Sequence, residues 1–298
     1  MAYLLAIASA ALYGAADFLG GLASRRASTI AVVASAQAAG LLVLLLVLPL
    51  LPDASPSPSD LVWGGAAGLT GSVGVGLLYH ALAIGTMAVV APTTAVCAVV
   101  IPVMAGVLAG DRLTPITMSG IGLAVLAIVL VSRETSAASP GSATLPGTGM
   151  SRRRFSLPPG VGIAFASGVA IGLFFLALAR TSPAAGMWPL VASRVISLIL
   201  FAVISVATAQ PLLVSRPVVR VALGAGVIDM TANALYLAAT RYGALSIVVT
   251  LASLYPASTV ILARVVLRER LNNWQVVGVV CALGAIALIV SGDAIASP

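Results

Sequence analysis

The sequence has no lysine and a single histidine, His80, and charged residues fill only 8% of its 298 positions. A soluble domain carries roughly 25% charged residues, so this chain lacks the polar cover that a water-facing surface needs. Without lysine there is no Walker-type Gly-Lys-Ser/Thr phosphate loop, which excludes ATP as a direct energy source. One histidine excludes a His-Glu-x-x-His zinc motif and any di-histidine metal site. No Gly-x-Ser-x-Gly nucleophile elbow occurs. The run Gly-Ser-Val-Gly-Val-Gly at 71–76 spaces its glycines wrongly for a dinucleotide fingerprint and lies inside an apolar stretch. The two cysteines, Cys97 and Cys281, sit within apolar runs and read as small packing residues. An enzyme is therefore not expected, nor a cofactor.

What the chain does have is apolar surface. Its residues are 60% hydrophobic and its mean hydropathy is +1.15. The fifteen basic residues are all arginine, and the isoelectric point of about 10.3 invites a nucleic-acid reading. Their placement argues otherwise. They cluster at the ends of apolar runs, where a membrane protein puts them, so lipid is the expected partner and nucleic acid is not.

A spanning helix needs roughly 20 apolar residues. Ten runs qualify, at 3–22, 29–51, 61–84, 87–109, 114–132, 159–179, 187–208, 217–239, 243–267 and 272–291. In lipid the backbone must satisfy its own hydrogen bonds, so runs of this length become helices. The first run lacks the basic start of a signal peptide and carries Asp17, so it is read as a mature helix. Most connections are short, which makes successive helices antiparallel neighbours. Two are longer: the proline-broken 52–60, and 133–158, which carries Arg152, Arg153 and Arg154 and reads as a flexible linker.

The chain also repeats itself. The stretch 78–132 returns at 235–291, offset by 157 to 158 positions. Tyr79 matches Tyr236, Gly85 matches Gly243, Asp111-Arg112-Leu113 matches Glu269-Arg270-Leu271, and Gly120 matches Gly278. The expected fold is an all-α integral membrane protein of ten transmembrane helices, arranged as two inverted five-helix repeats. The repeats are 2–133 and 157–292, joined by a linker at 134–156. Five is odd, so the second half enters the membrane from the opposite side. In many secondary transporters with that arrangement the substrate site lies at the repeat interface near the midplane.

These features together resemble the drug/metabolite transporter superfamily, EamA type, over nearly the whole chain. The residues that carry the resemblance are Leu12-Tyr13-Gly14, Leu78-Tyr79 with Ala81-Leu82, and Gly110-Asp111-Arg112-Leu113. In the second half they are Leu235-Tyr236 with Ala238, Leu254-Tyr255-Pro256, and Arg268-Glu269-Arg270-Leu271. The resemblance implies a secondary transporter of the cell (inner) membrane, commonly an exporter of small metabolites. It also implies an arginine in the seventh helix, where Arg194 stands. Four positions depart from the pattern. Gln37 occupies the place of Arg194's counterpart, Asp111 replaces the more usual Glu, and Asp17 and Asp229 are additions.

Charged groups deep in a span cost several kcal/mol and mark a pathway. The candidate substrate and proton pathway is Asp17, Tyr13, His80, Arg194, Asp229, Asn233, Tyr236, Thr93 and Thr250. Tyr13, Gly20 and Ser24 share a helical face with Asp17, and Asn233, Tyr236 and Thr240 share one with Asp229. Arg194 cannot lose its proton, so it needs an anionic partner or substrate. The bland alternative makes either Asp17 or Asp229 its structural partner. Low dielectric favours the neutral form of a carboxyl, which makes Asp17 the candidate proton carrier and protons the candidate coupling ion. His80 ends a four-residue stripe of Gly64, Gly68, Ser72 and Gly76 that reads as a packing seam. Trp63, Trp188 and Trp274 stand at span starts as interfacial anchors. The cavity is expected between the first, third, fourth, sixth, eighth and ninth helices, with the fifth and tenth outside it. Arginines divide eleven to three across the two sides, which favours extracytoplasmic termini. Amino-acid-like and drug-like solutes both fit as small-molecule substrates, a monomer and a homodimer both fit as assemblies, and a non-transporting scaffold or sensor is the rival function.

Overall fold

Our computed structural model describes residues 2–108, 114–131, 158–178, 180–242, 251–252, 255–268 and 273–296. Among these residues the chain forms ten α-helices: α1 (Ala2–Ser24), α2 (Thr29–Val47), α3 (Pro58–Ile84), α4 (Met87–Leu108), α5 (Pro115–Val131), α6 (Val161–Leu178), α7 (Trp188–Thr208), α8 (Arg216–Tyr242), α9 (Tyr255–Val266) and α10 (Asn273–Ala296). The linker expected at 134–156, the acidic breaks at 111–113 and 269–271, and Ser246, Thr250 and Ser253 lie outside the described residues.

Helix α3 starts three residues before the apolar run does, and local chemistry explains why. Ser57 and Asp60 form a reciprocal capping box, and Pro58 sits in the first turn, where its missing N–H costs nothing. The second oxygen of Asp60 accepts from the Ser182 backbone N–H at 2.6 Å, which ties the start of α3 to the turn after α6. At the same end Thr114 before α5 donates to the Gly292 carbonyl in α10 at 3.4 Å. At the opposite end Arg25 after α1 donates to the Gly85 carbonyl after α3 at 3.2 Å, and Ser28 before α2 meets Gln210 after α7 at 2.7 Å. Helix ends therefore sort into two sets, as they do when consecutive helices run in opposite directions.

Six of these helices (α1, α2, α3, α6, α7 and α8) are long and apolar enough to cross a membrane, and shorter apolar stretches lie in α4, α5, α9 and α10. Large apolar side chains such as Leu4, Leu46, Val125 and Val203 point outward. An exterior of this kind needs lipid rather than water around it.

The packing is mirrored between the halves. On α3 the seam Gly64, Gly68, Ser72 and Gly76 meshes with Pro189, Ser193, Ser197 and Phe201 of α7. A Cβ at Gly64 would lie 2.5 Å from the Pro189 carbonyl oxygen, and one at Gly68 would lie 2.4 Å from that of Ser193. Only glycine allows such backbone approach. The counterpart seam joins α8 to α2: a Cβ at Gly226 would lie 2.0 Å from the Ala36 carbonyl oxygen. Gly226 follows Gly68 by 158 positions and Ser193 follows Ala36 by 157. Two hydrogen bonds repeat the correspondence. Ser9 of α1 donates to the Ala232 carbonyl of α8 at 2.8 Å, and Ser167 of α6 donates to the Gly74 carbonyl of α3 at 2.7 Å. Both serines and both acceptors are 158 positions apart.

Helices α5 and α10 pair off from the rest. Ala124 and Ala127 pack against Ala282, Ala285 and Ile286, joined by Ala95 and Val96 of α4. Val125 is 59% exposed on the outer side of that pair.

Candidate functional site

Helices α2, α7 and α8 meet at a buried ionic cluster. Arg194 on α7 donates through Nη2 to Asp229 Oδ2 on α8 at 2.5 Å. Through Nη1 it donates to Gln37 Oε1 on α2. Asn233, one turn beyond Asp229, donates to the Asp229 carbonyl at 2.8 Å and to its Oδ2 at 3.3 Å. The Arg194 side chain is 9% exposed and that of Asp229 is 21%. A guanidinium this deep in apolar surroundings is tolerable only with a paired carboxylate and further acceptors, which Asp229 and Gln37 provide. Gly40 on α2 lies beside it, where a Cβ would stand in ordinary contact, 3.6 Å from Arg194 Cζ.

A second polar group lies on α1. Asp17 shares its face with Ala6, Ala10, Tyr13 and Ser24, away from the exposed stripe of Leu4 and Ile7. Yet Asp17 is only partly buried, as are Tyr13, Asp229, Tyr236 and Tyr255, so these interior polar side chains border open space. Asp17 makes no hydrogen bond or ion pair among the described residues. It sits within electrostatic reach of Asp229, Tyr13, Tyr79 and Tyr255. Tyr79 of α3 lays its ring over Gly20, where a Cβ would fall 2.0 Å from the ring carbon Cζ, and its hydroxyl reaches the Ala16 carbonyl at 3.5 Å. Tyr13 meets Tyr255 of α9 edge to face, with centroids 6.4 Å apart. Tyr236 stands 6.4 Å from the Phe175 ring of α6.

The arrangement therefore brings together Tyr13, Asp17, Arg194, Asp229, Asn233 and Tyr236 of the sequence candidates. It pairs Arg194 with Asp229 and leaves Asp17 apart. His80 is exposed, while its neighbour Tyr79 turns inward. Thr93 is buried and bonds back to the Val89 carbonyl within α4 at 2.8 Å, and Thr94 donates to the Ala164 carbonyl of α6 at 3.2 Å, joining α4 to α6. Helices α2 and α7, absent from the expected cavity wall, supply Gln37 and Arg194. Three tyrosine and glutamine positions count here beyond the candidate set. Tyr79 and Tyr255 stood out in the sequence only as repeat and family markers, and Gln37 only as the counterpart of Arg194. Among the described residues no group of three or more His, Cys, Asp or Glu side chains is placed to hold a metal ion. A separate cavity of about 570 Å³ opens between α3 and α7, lined by apolar residues including Val62, Val191 and Val195. It contains none of the cluster and faces the same side as the exposed Val195 and Ile199.

Helices through the described residues, an apolar exterior and an interior ion pair define a multi-pass membrane protein. The EamA-like transporter family matches residues 1–133 and again 158–291. The chain belongs to that family, and with it to the membrane transporters of the drug/metabolite transporter superfamily. No curated protein matches the sequence. Among solved structures, a crystal structure of a protein has the same fold at 17% sequence identity and a TM-score of 0.51, covering 99% of this chain and 98% of that one.

Proposed function

We propose that this protein is a secondary active transporter that exports small metabolites or drug-like solutes across the cell membrane by alternating access. In this reading ten crossings form two inverted five-helix repeats, 2–133 and 157–292, with protons as the coupling ion. The observation that carries it is the place where the ion pair sits. Gln37 and Arg194 are repeat counterparts, 157 positions apart, and they bond each other. The polar site thus lies where the halves meet, which is where an inverted-repeat transporter binds its substrate. Mirrored seams on α3–α7 and α2–α8 support two halves able to rock against one another, because contacts through glycine are thin and closely alike on both sides. The arginine distribution supports an arrangement with both termini extracytoplasmic.

The test is flux in reconstituted vesicles. A panel of labelled metabolites is loaded and efflux is followed with and without an imposed pH gradient. Saturable efflux of at least one class, accelerated by the gradient and lost in Arg194→Ala, is expected. Absence of protein-dependent flux for every class, with folded protein in the vesicles, would favour a scaffold or sensor instead.

A further inference from the structure

We infer that the two gates of this protein are unequal. The end at which α1 and α3 finish is held shut by Tyr79 and Arg25, and its repeat counterpart, where α6 and α8 finish, is built to close less firmly. The inference rests on the transporter reading above and names the residues that control access to that same site.

In an inverted repeat the two ends of the site are closed by equivalent helix pairs, here α1 with α3 and α6 with α8. The two pairs differ. Helix α1 packs along α3, whereas α6 does not pack along α8. Tyr79 stands on α3 between the interior cluster and the helix end. Its ring fills the space over Gly20, and Leu82 fills that over Gly21, where a Cβ would fall 2.6 Å from Leu82 Cβ. Leu78, Tyr79 and Ala81 are buried, Tyr79 to 2% exposure. Their equivalents 157 positions on, Leu235, Tyr236 and Ala238, are all partly exposed. Across the second gate Tyr236 meets the ring of Phe175, with centroids 6.4 Å apart.

The buried apolar side chains follow the same division. One cluster joins Phe18 of α1, Val32 of α2, Leu82 of α3, Met87 of α4, Val218 of α8 and Ala263 of α9. All six lie toward the end where α1 and α3 finish. The cluster around Tyr236 has only Ala6 and Ala239 buried among the described residues.

The cause lies in the sequence. Gly20 and Gly21 give α3 two seats against the α1 backbone. At 158 positions on stand Leu178 and Ala179, so the Tyr236 ring has no equivalent seat on α6. A second difference adds to the first. Arg25, just past α1, donates to the Leu82 carbonyl at 3.4 Å and to the Gly85 carbonyl at 3.2 Å, at the end of α3. The last carbonyls of a helix lack partners within it and carry the negative end of its dipole, so a guanidinium there is stabilising. The position equivalent to Arg25 holds Pro183, which has neither charge nor N–H. Both differences favour closure of the first gate. The resting protein is therefore closed where α1 and α3 finish, and the form closed where α6 and α8 finish is the minor state. With the termini extracytoplasmic, the closed end is the cytoplasmic one.

The test is a pair of distance measurements by double electron–electron resonance on purified full-length protein in lipid nanodiscs, with Cys97 and Cys281 replaced by alanine. Spin labels at Arg26→Cys and Ile84→Cys span the first gate. Labels at Ala184→Cys and Tyr242→Cys, each 158 positions on, span the second, and all four sites are exposed. The first pair should give one short distance, with any longer form below about 10% of the population. The second pair should give a longer distance. Gly20→Leu puts the second gate's residue into the first and should make the long form of the first pair the major one while shortening the second pair. Arg25→Ala should raise the long form severalfold. Equal distances for the two pairs, or a folded Gly20→Leu or Arg25→Ala that leaves both distributions unchanged, would each overturn the inference. If Gly20→Leu does not fold, Arg25→Ala, at an exposed position, and the comparison of the two pairs decide. Shifts in the variants without flux of any solute would sustain the unequal gates and remove the transporter reading. Flux through a protein whose two gates give equal distances would do the reverse.

Discussion

Gln37 and Arg194 occupy the same position in the two halves of the chain, 157 residues apart, and their side chains are bonded to one another. In the proposed inverted-repeat arrangement a two-fold relation would pass between these two equivalent residues. At such a point an identical pair would set guanidinium against guanidinium. Gln37 departs from the repeat at a place where keeping it would be costly. The account therefore predicts that Gln37→Arg restores the repeat and ruins the protein. Two like charges at this distance in a partly buried setting cost on the order of 4 kcal/mol at an effective dielectric of 20. Thermal unfolding in detergent should show a large loss of stability, whereas Gln37→Glu should be tolerated.

The Arg194–Asp229 pair gives a sharper expectation. Asp229→Asn leaves a buried guanidinium without a counter-charge, at a cost of about 3–5 kcal/mol. The double variant Arg194→Gln with Asp229→Asn removes both charges and should recover most of that loss while abolishing transport. A double-mutant cycle by denaturation in mixed micelles reads the coupling directly.

The seams offer a graded series. Gly68→Ala and Gly226→Ala drive a methyl into a facing backbone carbonyl, 2.4 and 2.0 Å away, and should each destabilise by about 1–3 kcal/mol. Gly162→Ala and Gly224→Ala meet nothing within 4 Å, and replacing a helical glycine there should be neutral or stabilising by about 0.5–1 kcal/mol. Melting temperatures of the four variants should separate into two groups.

Because Ser9 and Ser167 make equivalent bonds in the two halves, Ser9→Ala and Ser167→Ala should cost the same, about 0.6 kcal/mol each for an interhelical bond in a membrane. Unequal losses in thermal unfolding would mean that the halves are not equivalent in their packing.

Much of this was legible in the residues, and what was not has a physical reason. The repeat could be read because Tyr79 and Tyr236, or Gly120 and Gly278, keep their spacing in the chain. The α3 seam could be read because four-residue spacing places Gly64, Gly68, Ser72 and Gly76 on one face. Its partner could not, because periodicity tells which residues share a helix face and not which helix lies across from it. For that reason Asp17 and Asp229 were equal candidates for Arg194, and only the packing of both α7 and α8 against α2, which brings Arg194 to Asp229, decides for Asp229. The same limit hid the contact of Gln37 with Arg194, whose equivalence was visible although the axis between α2 and α7 was not. A lone histidine draws attention by its rarity, but a helix turns about 100° per residue, so Tyr79 faces the site and His80 does not. Thr250 lies outside the described residues.

The central claim is that a site between two halves opens to each side of the membrane in turn. Its most direct test is accessibility of one engineered thiol in that site. With Cys97 and Cys281 replaced by alanine, Asn233→Cys in oriented vesicles is exposed to a membrane-impermeant maleimide from one face and then the other. The account predicts labelling from both faces, with the ratio shifted by an imposed pH gradient. Labelling from a single face under every condition, or from neither, would contradict it.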